Sequence, residues 1–400
     1  MLRTPGAAAF SLSGWFGRFP KSNLSLGLIL LVSSTTGSFA EAGLASAGLV
    51  AGMAFSGPFW SARMDRGGQR RVIAVALACL VASTALTSTL VVLRAPLPLW
   101  LAGAVLTGLS CPDIAAAVRA RWTAATGGRL RIAAFAVETI NDQMVFVVGP
   151  PIITVLSGTV HPLLGVAAAL APGVAGMLAL VAQPGTEPPL HPLSERGKGW
   201  SARLPPLSIL PVTLGCVGIG SFFGSYDVSV VAWGEDHGAP WASGVLLAVM
   251  AVAMGAGALA AGARRWSAGP SARFTVFIGG VCIIALGMPL AAAAGPWIAA
   301  GVVATGLLMG PVTISVFALA ETRAPRGRVT EILAYPSAGT SAGVPAGATL
   351  AGIVHDGLGS SASFTLMAAS AFFGLLVGGG GELLLRLRER RRDKPATATA

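Results

Sequence analysis

Four carboxylates lie inside long apolar stretches of the chain, where an ionisable side chain is costly and by default functional. They are Asp113, Glu138, Asp142 and Asp227. Glu138 and Asp142 are four residues apart, which places both on one face of a helix. Two acids this close in an apolar setting do not both ionise readily. The chemistry that this pair favours is therefore the reversible uptake and release of a proton.

Asp142 is the first candidate for that role. It lies about 11 residues, or roughly 16 Å, beyond Arg131, close to the middle of a bilayer, and we expect no basic partner at its depth. Asp227 ranks next, beside Tyr226 and toward the other end of its apolar run. Both residues fit a substrate cavity, although Asp227 also fits a simple interfacial position.

Glu138 and Asp113 have stronger structural alternatives. Glu138 lies near the end of its apolar run, where Arg119 or Arg121 could hold it in a salt bridge. A structural and a coupling role are equally compatible with its position. Asp113 follows Pro112, at a predicted break in a helix, and a capping role is slightly favoured for it.

The elements that would position these acids are membrane-spanning helices. Hydrophobic residues make up 54% of the 400 residues and charged residues only 11%, against about 25% charged in soluble domains. A span needs about 20 apolar residues. The runs that qualify are 22–40, 43–62, 72–93, 97–118, 132–156, 162–182, 207–232, 241–263, 273–294, 297–320, 330–353 and 362–385. We predict an all-α protein with twelve transmembrane helices.

The basic residues predict the orientation of these helices. Of the 27 Lys and Arg residues, all but Arg94 fall in the N-terminal segment, the even-to-odd loops or the C-terminal tail. Short loops rich in Lys and Arg stay in the cytoplasm. We therefore expect a bacterial cytoplasmic membrane protein with both termini inside. The net charge of +11 then comes from basic loops beside a membrane. We therefore expect no nucleic-acid partner.

The chain divides into two halves. Residues 183–206 form the longest polar, Pro-rich stretch between spans, and basic pairs precede spans five and eleven at 129–131 and 326–328. We predict an N-terminal six-helix bundle at 1–182, a cytoplasmic linker at 183–206, a C-terminal six-helix bundle at 207–386 and a basic tail at 387–400. Two pseudo-symmetric bundles with a site between them are typical of secondary transporters.

Residues 61–71, between spans two and three, resemble the loop signature of the major facilitator superfamily, G-x-L-x-D-R-x-G-R-R/K. Asp65, Arg66, Gly68 and Arg70 match it, whereas Ser61 replaces the leading Gly. The resemblance implies a cytoplasmic gate that locks the outward-facing state. A plain positive-inside anchor would explain the arginines but not the spacing of the Asp and the Gly.

Span five carries a second resemblance. Its end, 145–151, is similar to a degraded form of the superfamily's antiporter motif, in which Gly149-Pro150 closes a helix face. Together with the segments 138–142, 222–227 and 328–331, it resembles drug-efflux-like facilitators of actinobacteria. The resemblance implies efflux. We expect Gly149, Pro150, Pro336 and Pro345 to act as helix-breaking hinges.

These observations favour a secondary transporter that works by alternating access and exports a small lipophilic or cationic molecule in exchange for protons. Acids without bases in the cavity favour a cation over an anion. Uptake by proton symport is the alternative. We expect a monomer and no cofactor. The four cysteines lie singly in apolar runs, so that we expect no metal site.

Two other classes are disfavoured. Residues 339–343 match G-x-S-x-G around Ser341, but a nucleophile elbow needs a strand, a turn and a helix. We therefore expect no enzyme. A channel usually builds its filter from oligomer symmetry, whereas this chain repeats internally.

Overall fold

The computed structural model describes residues 5–190, 208–264, 266–325 and 327–385, which contain helices and no β-strand. We call α1–α8 the N-terminal half: α1 Ala7–Gly17, α2 Phe19–Thr36, α3 Phe39–Gly67, α4 Gln69–Val92, α5 Leu97–Ser110, α6 Ile114–Ala125, α7 Gly128–Thr159 and α8 Pro162–Val181. We call α9–α15 the C-terminal half: α9 Leu210–Asp236, α10 Pro240–Ala263, α11 Pro270–Ala293, α12 Ile298–Thr322, α13 Val329–Leu358, α14 Ser360–Ser363 and α15 Thr365–Gly374.

The all-α membrane fold is confirmed. Within the described residues, ten helical segments are long and apolar enough to cross a membrane by length and composition. Two further elements, α1–α2 and α13, complete the predicted series of twelve. Two spans are broken: α5 and α6 share the fourth, and the twelfth runs from α14 through α15 and a π-helical turn at Leu375–Gly380.

Two predicted span boundaries were wrong, and both errors hid basic residues. The first element begins at Ala7 and not at 22, because the small apolar residues of α1 continue almost straight into α2 through Arg18. The fourth element runs on past 118 to Ala125. Arg119 and Arg121 therefore lie inside the bundle as buried side chains and not in a loop.

Close backbone contact joins α9 to α13. A Cβ on Gly347 would lie 1.9 Å from the Ser221 carbonyl oxygen, and one on Gly343 would lie 2.0 Å from that of Val217. Small residues allow this approach in a membrane, where packing has to hold helices together. The G-x-S-x-G segment around Ser341 is therefore part of a helix–helix contact, and no strand leads into it among the described residues.

The two halves meet at one end of the molecule. We call it the basic end: it is where α3 meets α4, α6 meets α7, and α12 meets α13. Contacts between the halves run through α3 and α13, α7 and α10, α7 and α12, and α6 and α13. Among the described residues, the hydrogen bonds and ion pairs that join the halves lie at this end. The basic end is closed.

The predicted linker is described only in its first part. After α8, a 3-10 turn at Pro184–Thr186 leads to residue 190. The rest of the linker, the basic tail at 387–400, Arg326 and the side chain of Arg129 lie outside the described residues. The domain boundaries at 182, 206 and 386 stay predictions.

Candidate functional site

Arg18, at the junction of α1 and α2, lies at the centre of a buried charge cluster in the N-terminal half. Its guanidinium forms an ion pair with Glu138 and also lies 3.2 Å from an Asp142 carboxylate oxygen. A third contact of 3.3 Å joins it to the Glu138 carbonyl oxygen. The side chain is 4% exposed. Buried charges are tolerated only when paired and hydrogen-bonded in this way.

Glu138 is fully satisfied inside this cluster. Besides Arg18, its carboxylate accepts hydrogen bonds from the Ser11 hydroxyl at 2.7 Å and from the Trp122 indole at 2.8 Å. The predicted partners Arg119 and Arg121 were wrong, because Arg18 was placed outside the membrane. Three donors around one buried carboxylate satisfy both of its oxygens.

Asp142 has two basic partners and faces open space. Arg119 of α6 forms an ion pair with one of its oxygens, and Arg18 approaches the other. The expectation of no basic partner at this depth was wrong, since both arginines lie deeper than the predicted spans allowed. The Asp142 side chain is 25% exposed, whereas that of Glu138 is 0%. Asp142 is therefore the member of the pair that water and protons can reach.

A third ion pair lies beside the first two. The Lys21 ammonium is 2.7 Å from the Asp113 carboxylate. The same carboxylate accepts the Ala116 backbone N–H at 2.9 Å, so that Asp113 caps α6, as its position after Pro112 predicted. Lys21 is the partly exposed member of this pair, at 20%.

The cluster as a whole is neutral: three carboxylates face three bases. The predicted repulsion between Glu138 and Asp142 is offset, because the Arg18 guanidinium contacts both carboxylates. The picture of a cavity with acids and no bases was wrong for the N-terminal half. Basic residues at the end of an apolar run, as in Arg119-Ala120-Arg121-Trp122, were the signal that could have revealed this.

Asp227 differs from the other three acids. It is exposed on α9 and forms no hydrogen bond or ion pair with another described residue. On α9, Gly224 packs on α13 and Tyr226 packs on α10. At 100° per residue, Asp227 lies between these two contacts. Because α10 and α13 both touch the N-terminal half, Asp227 lies on the side of α9 that is turned toward that half.

Tyr226 does not share this position. Its side chain is 2% exposed, and its hydroxyl donates a hydrogen bond to the Leu246 carbonyl oxygen at 2.7 Å. We predicted it as a cavity residue, but the structure buries it between α9 and α10. Adjacent residues on a helix point about 100° apart, so the side chains of Asp227 and Tyr226 have different surroundings.

Asp65 makes the main polar contact across the basic end. Its carboxylate, at the end of α3, accepts the backbone N–H groups of Thr330 and Glu331 at 3.1 and 2.8 Å. These N–H groups open α13 in the other half. A helix N-terminus carries unpaired donors and partial positive charge, so a carboxylate there is stabilising. Asp65 thus caps a helix from across the interface.

The other residues of the α3–α4 loop shape this contact. Gly68 has a φ of +89°, and a Cβ there would lie 2.8 Å from a Glu187 carboxylate oxygen. That oxygen accepts the Arg70 backbone N–H at 3.1 Å. Arg66 is an exposed neighbour of Asp65. Gly68 is therefore needed both for its backbone conformation and for the approach of Glu187.

Two further contacts join the halves near the basic end. Arg131 of α7 forms an ion pair with Glu321 of α12. Deeper in the bundle, the Arg119 guanidinium lies over the ring of Phe317, with its Cζ atom 3.7 Å from the ring centroid. This second contact reaches from α6 to α12 and involves the same arginine that pairs with Asp142.

A cavity of about 220 Å³ lies within the closed end. Its lining comes from both halves and from the start of the linker: Met64, Asp65, Gln69, Ala120, Thr123, Ala124, Pro188, Pro189, Leu190, Gly327, Val329 and Thr330. The cavity borders the Asp65 contact, so packing at this end is incomplete.

The predicted hinge residues lie inside continuous helices. Pro150 is within α7, and Pro336 and Pro345 are within α13. A proline removes one backbone hydrogen bond and weakens a helix locally. A Cβ on Gly149 would lie 2.2 Å from the Asn23 side-chain oxygen, so this glycine serves the packing of α7 on α2. Bending at these positions stays a prediction.

The fold and the closed end define a class of protein: two helical halves that meet at one end and leave a charge cluster facing the space between them. A family model for the major facilitator superfamily matches residues 10–335. The chain belongs to this superfamily. No curated protein sequence matches it.

Solved structures share the fold at low sequence identity. A bacterial homologue of the iron transporter ferroportin in an outward-facing state has a TM-score of 0.72 and 11% identity, covering 94% of this chain and 99% of its own. The human organic anion transporter MFSD10 has a TM-score of 0.70, 15% identity and coverage of 93% and 98%.

The Escherichia coli fucose:proton symporter FucP has a TM-score of 0.66, 15% identity and coverage of 94% and 98%. Identities this low show a common fold and leave cargo undetermined. Family and neighbours together point to a transporter and not to an enzyme.

Proposed function

We propose that this chain is a proton-coupled secondary transporter that works by alternating access, with Asp142 as the residue that takes up and releases the proton. The observation that carries the proposal is the position of Asp142. It is the partly exposed acid of an otherwise buried cluster, and it is held between two arginines. A proton on Asp142 would leave those arginines short of one counter-charge, which costs free energy in an apolar interior.

The closed basic end supports alternating access. Asp65 caps α13 across the interface, and Arg131 pairs with Glu321. The basic loops at this end favour a cytoplasmic location. In this proposal the closed end is the cytoplasmic gate formed by Asp65, Arg66, Gly68 and Arg70, both termini lie in the bacterial cytoplasm, and the state described is outward-facing.

Asp227 supports a cationic cargo. The charges of Arg18, Arg119 and Lys21 are matched by three acids, so the N-terminal cluster adds no net charge to the cavity. Asp227 faces the same space without a described partner. The unbalanced charge there is negative, and it favours a small organic cation or a neutral lipophilic molecule over an anion.

Export by exchange with protons is the direction we propose, on the resemblance of span five to efflux proteins. Proton symport in the uptake direction is the second candidate, favoured by the fold shared with a fucose:proton symporter. Both use the same proton site. They differ in the direction in which cargo moves when the outside is made acidic.

The test uses the full chain in proteoliposomes and in an efflux-deficient bacterial host. We expect wild type to move a fluorescent lipophilic cation against its gradient when a pH gradient is applied, and to lower the host's susceptibility to such cations. Asp142→Asn should abolish the pH-driven movement but keep binding, whereas Asp227→Asn should weaken binding of the cation.

Asp236→Asn, an exposed acid at the end of α9, is the matched control and should behave as wild type. Unchanged pH-dependent transport in Asp142→Asn would overturn the proton-coupling proposal. Accumulation of the cation inside acid-bathed cells would replace export by uptake.

A further inference from the structure

Arg119 touches both halves of the molecule at once. One of its guanidinium nitrogens pairs with Asp142 in the N-terminal half, while its Cζ atom lies 3.7 Å from the centroid of the Phe317 ring in the C-terminal half. The side chain is fully buried, and Phe317 is only 7% exposed. Its other two nitrogens, Nε and Nη1, have no hydrogen-bond partner.

These facts make Asp142 and Phe317 the main stabilising neighbours of a buried charge. A cation over an aromatic face gains more when it is withheld from water. A buried guanidinium that loses its counter-ion is strongly destabilised. The position of the Arg119 guanidinium between the halves therefore depends on both the Asp142 carboxylate and the Phe317 ring.

We propose that Arg119 and Phe317 transmit the protonation state of Asp142 from the N-terminal half to the closed basic end. The inference rests on the proposed proton coupling and names the contact through which it acts. When Asp142 takes a proton, Arg119 loses its partner and is no longer held over Phe317. The halves then separate at the basic end, and water reaches the guanidinium.

The surroundings of Asp142 leave few other routes. Arg18 faces it from the α1–α2 junction, and Glu138 lies one turn away on its own helix. Helices α8 and α10, which also pack on α7, contain no charged residue. Lys21 is paired with Asp113, and Glu321, the charged residue of α12, is paired with Arg131. Of these groups, Arg119 is the one that contacts Asp142 and the other half together.

The test measures how pH opens the basic end. Spin labels at Ala125→Cys and Thr322→Cys, exposed positions at the ends of α6 and α12, report the distance between the halves in lipid nanodiscs. The exposed Cys79 is replaced by Ser, and the three buried cysteines remain. The distance distribution is recorded from about pH 8 to about pH 5, the range in which a coupling acid would titrate.

Four results are expected. Wild type opens as the pH falls, and Asp142→Asn is open at every pH. Phe317→Leu lowers the closed-to-open ratio at about pH 8 by about twofold to thirtyfold and at least halves the response to pH. Phe317→Tyr, which keeps the aromatic face, restores the wild-type response.

Phe274→Leu is the matched control. It removes another fully buried ring of the C-terminal half, one that packs against Gly378, and should leave the pH response intact. Arg119→Lys is the second variant, since Lys keeps the ion pair but loses the planar stack; it should also blunt the response.

A wild-type pH response in Phe317→Leu, or equal responses in the Leu and Tyr variants, would overturn this inference and leave proton coupling standing. A wild-type response in Asp142→Asn would overturn the proton-coupling proposal itself, and this inference with it.

Discussion

The two halves of this protein place their buried ion pairs differently. The N-terminal half carries a cluster of six ionisable side chains, paired as Arg18 with Glu138, Arg119 with Asp142, and Lys21 with Asp113. In the C-terminal half, glycines bring α9 and α13 into backbone contact, and Asp227 is an exposed acid on α9. Close glycine contacts also occur in the N-terminal half, where a Cβ on Gly108 would lie 2.0 Å from the Leu49 carbonyl oxygen. The C-terminal half has ion pairs as well, Arg323 with Glu382 and Arg328 with Glu331, but these lie near the basic end.

The difference suggests a division of labour. An ion-pair network changes its stability when one member takes a proton, so the N-terminal half suits the binding of the coupling ion. A tightly packed helix pair resists internal change and moves as a unit, because packed interfaces switch between discrete arrangements and do not deform smoothly. The C-terminal half therefore suits the movement and the recognition of cargo.

The largest effect is expected from breaking the charge network. Arg18→Met leaves both Glu138 and Asp142 short of a partner, and should destabilise the protein by about 3–5 kcal/mol. Lys21→Met breaks a pair that is partly exposed to solvent and should cost less. Thermal unfolding in detergent compares the two variants. Equal losses of stability in the two variants would show that the Arg18 ion pairs contribute no more than the partly exposed pair of Lys21 and Asp113.

A smaller effect is expected from separating the packed helices. Gly347→Ala places a methyl group 1.9 Å from a backbone oxygen of α9 and should cost about 1–3 kcal/mol. Gly352→Ala is the control in the same helix, because no atom lies within 4 Å of the added carbon. The control should be neutral or slightly stabilising, since Ala favours a helix. Similar melting temperatures for the two variants would contradict close packing as the organising feature.

The smallest effect concerns the contact between the halves. Asp65→Ala removes a helix cap worth about 1 kcal/mol and should lower the closed-to-open ratio at the basic end by about fivefold. Ser38→Ala removes the cap of α3, which lies within one half, and should change stability but not this ratio. Spin-label distances between α6 and α12 measure it. An unchanged ratio in Asp65→Ala would show that the gate is held elsewhere.

Much of the fold could be predicted because hydropathy and the side preference of Arg are local signals. The twelve elements follow from apolar runs, and the loop around Asp65 follows from its motif. The charge cluster could not be predicted. Arg18 pairs with a residue 120 positions away, and no periodicity reports such a contact. Arg119 was missed because the fourth run was ended at 118, whereas α6 continues to Ala125.

The sequence identified the acids themselves but did not predict their surroundings. Asp142 and Asp227 both stood out as ionisable residues in apolar runs, and sequence alone could not tell the paired one from the unpaired one. The partner of Asp65 is the N-terminus of α13, whose donors are backbone groups common to any sequence. The pattern of side chains therefore does not predict which backbone groups Asp65 contacts.

Helix α13 has a mechanical consequence. It is 30 residues long, or about 45 Å. Asp65 accepts hydrogen bonds from its first turn, and its middle packs closely on α9. Such a helix acts as a lever: a tilt of about 10° moves one end by about 8 Å relative to the other. Asp227 lies on α9, which would move together with α13 because the two helices are closely packed. A bound molecule that held Asp227 in place would therefore resist movement of the α13 N-terminus at the basic end.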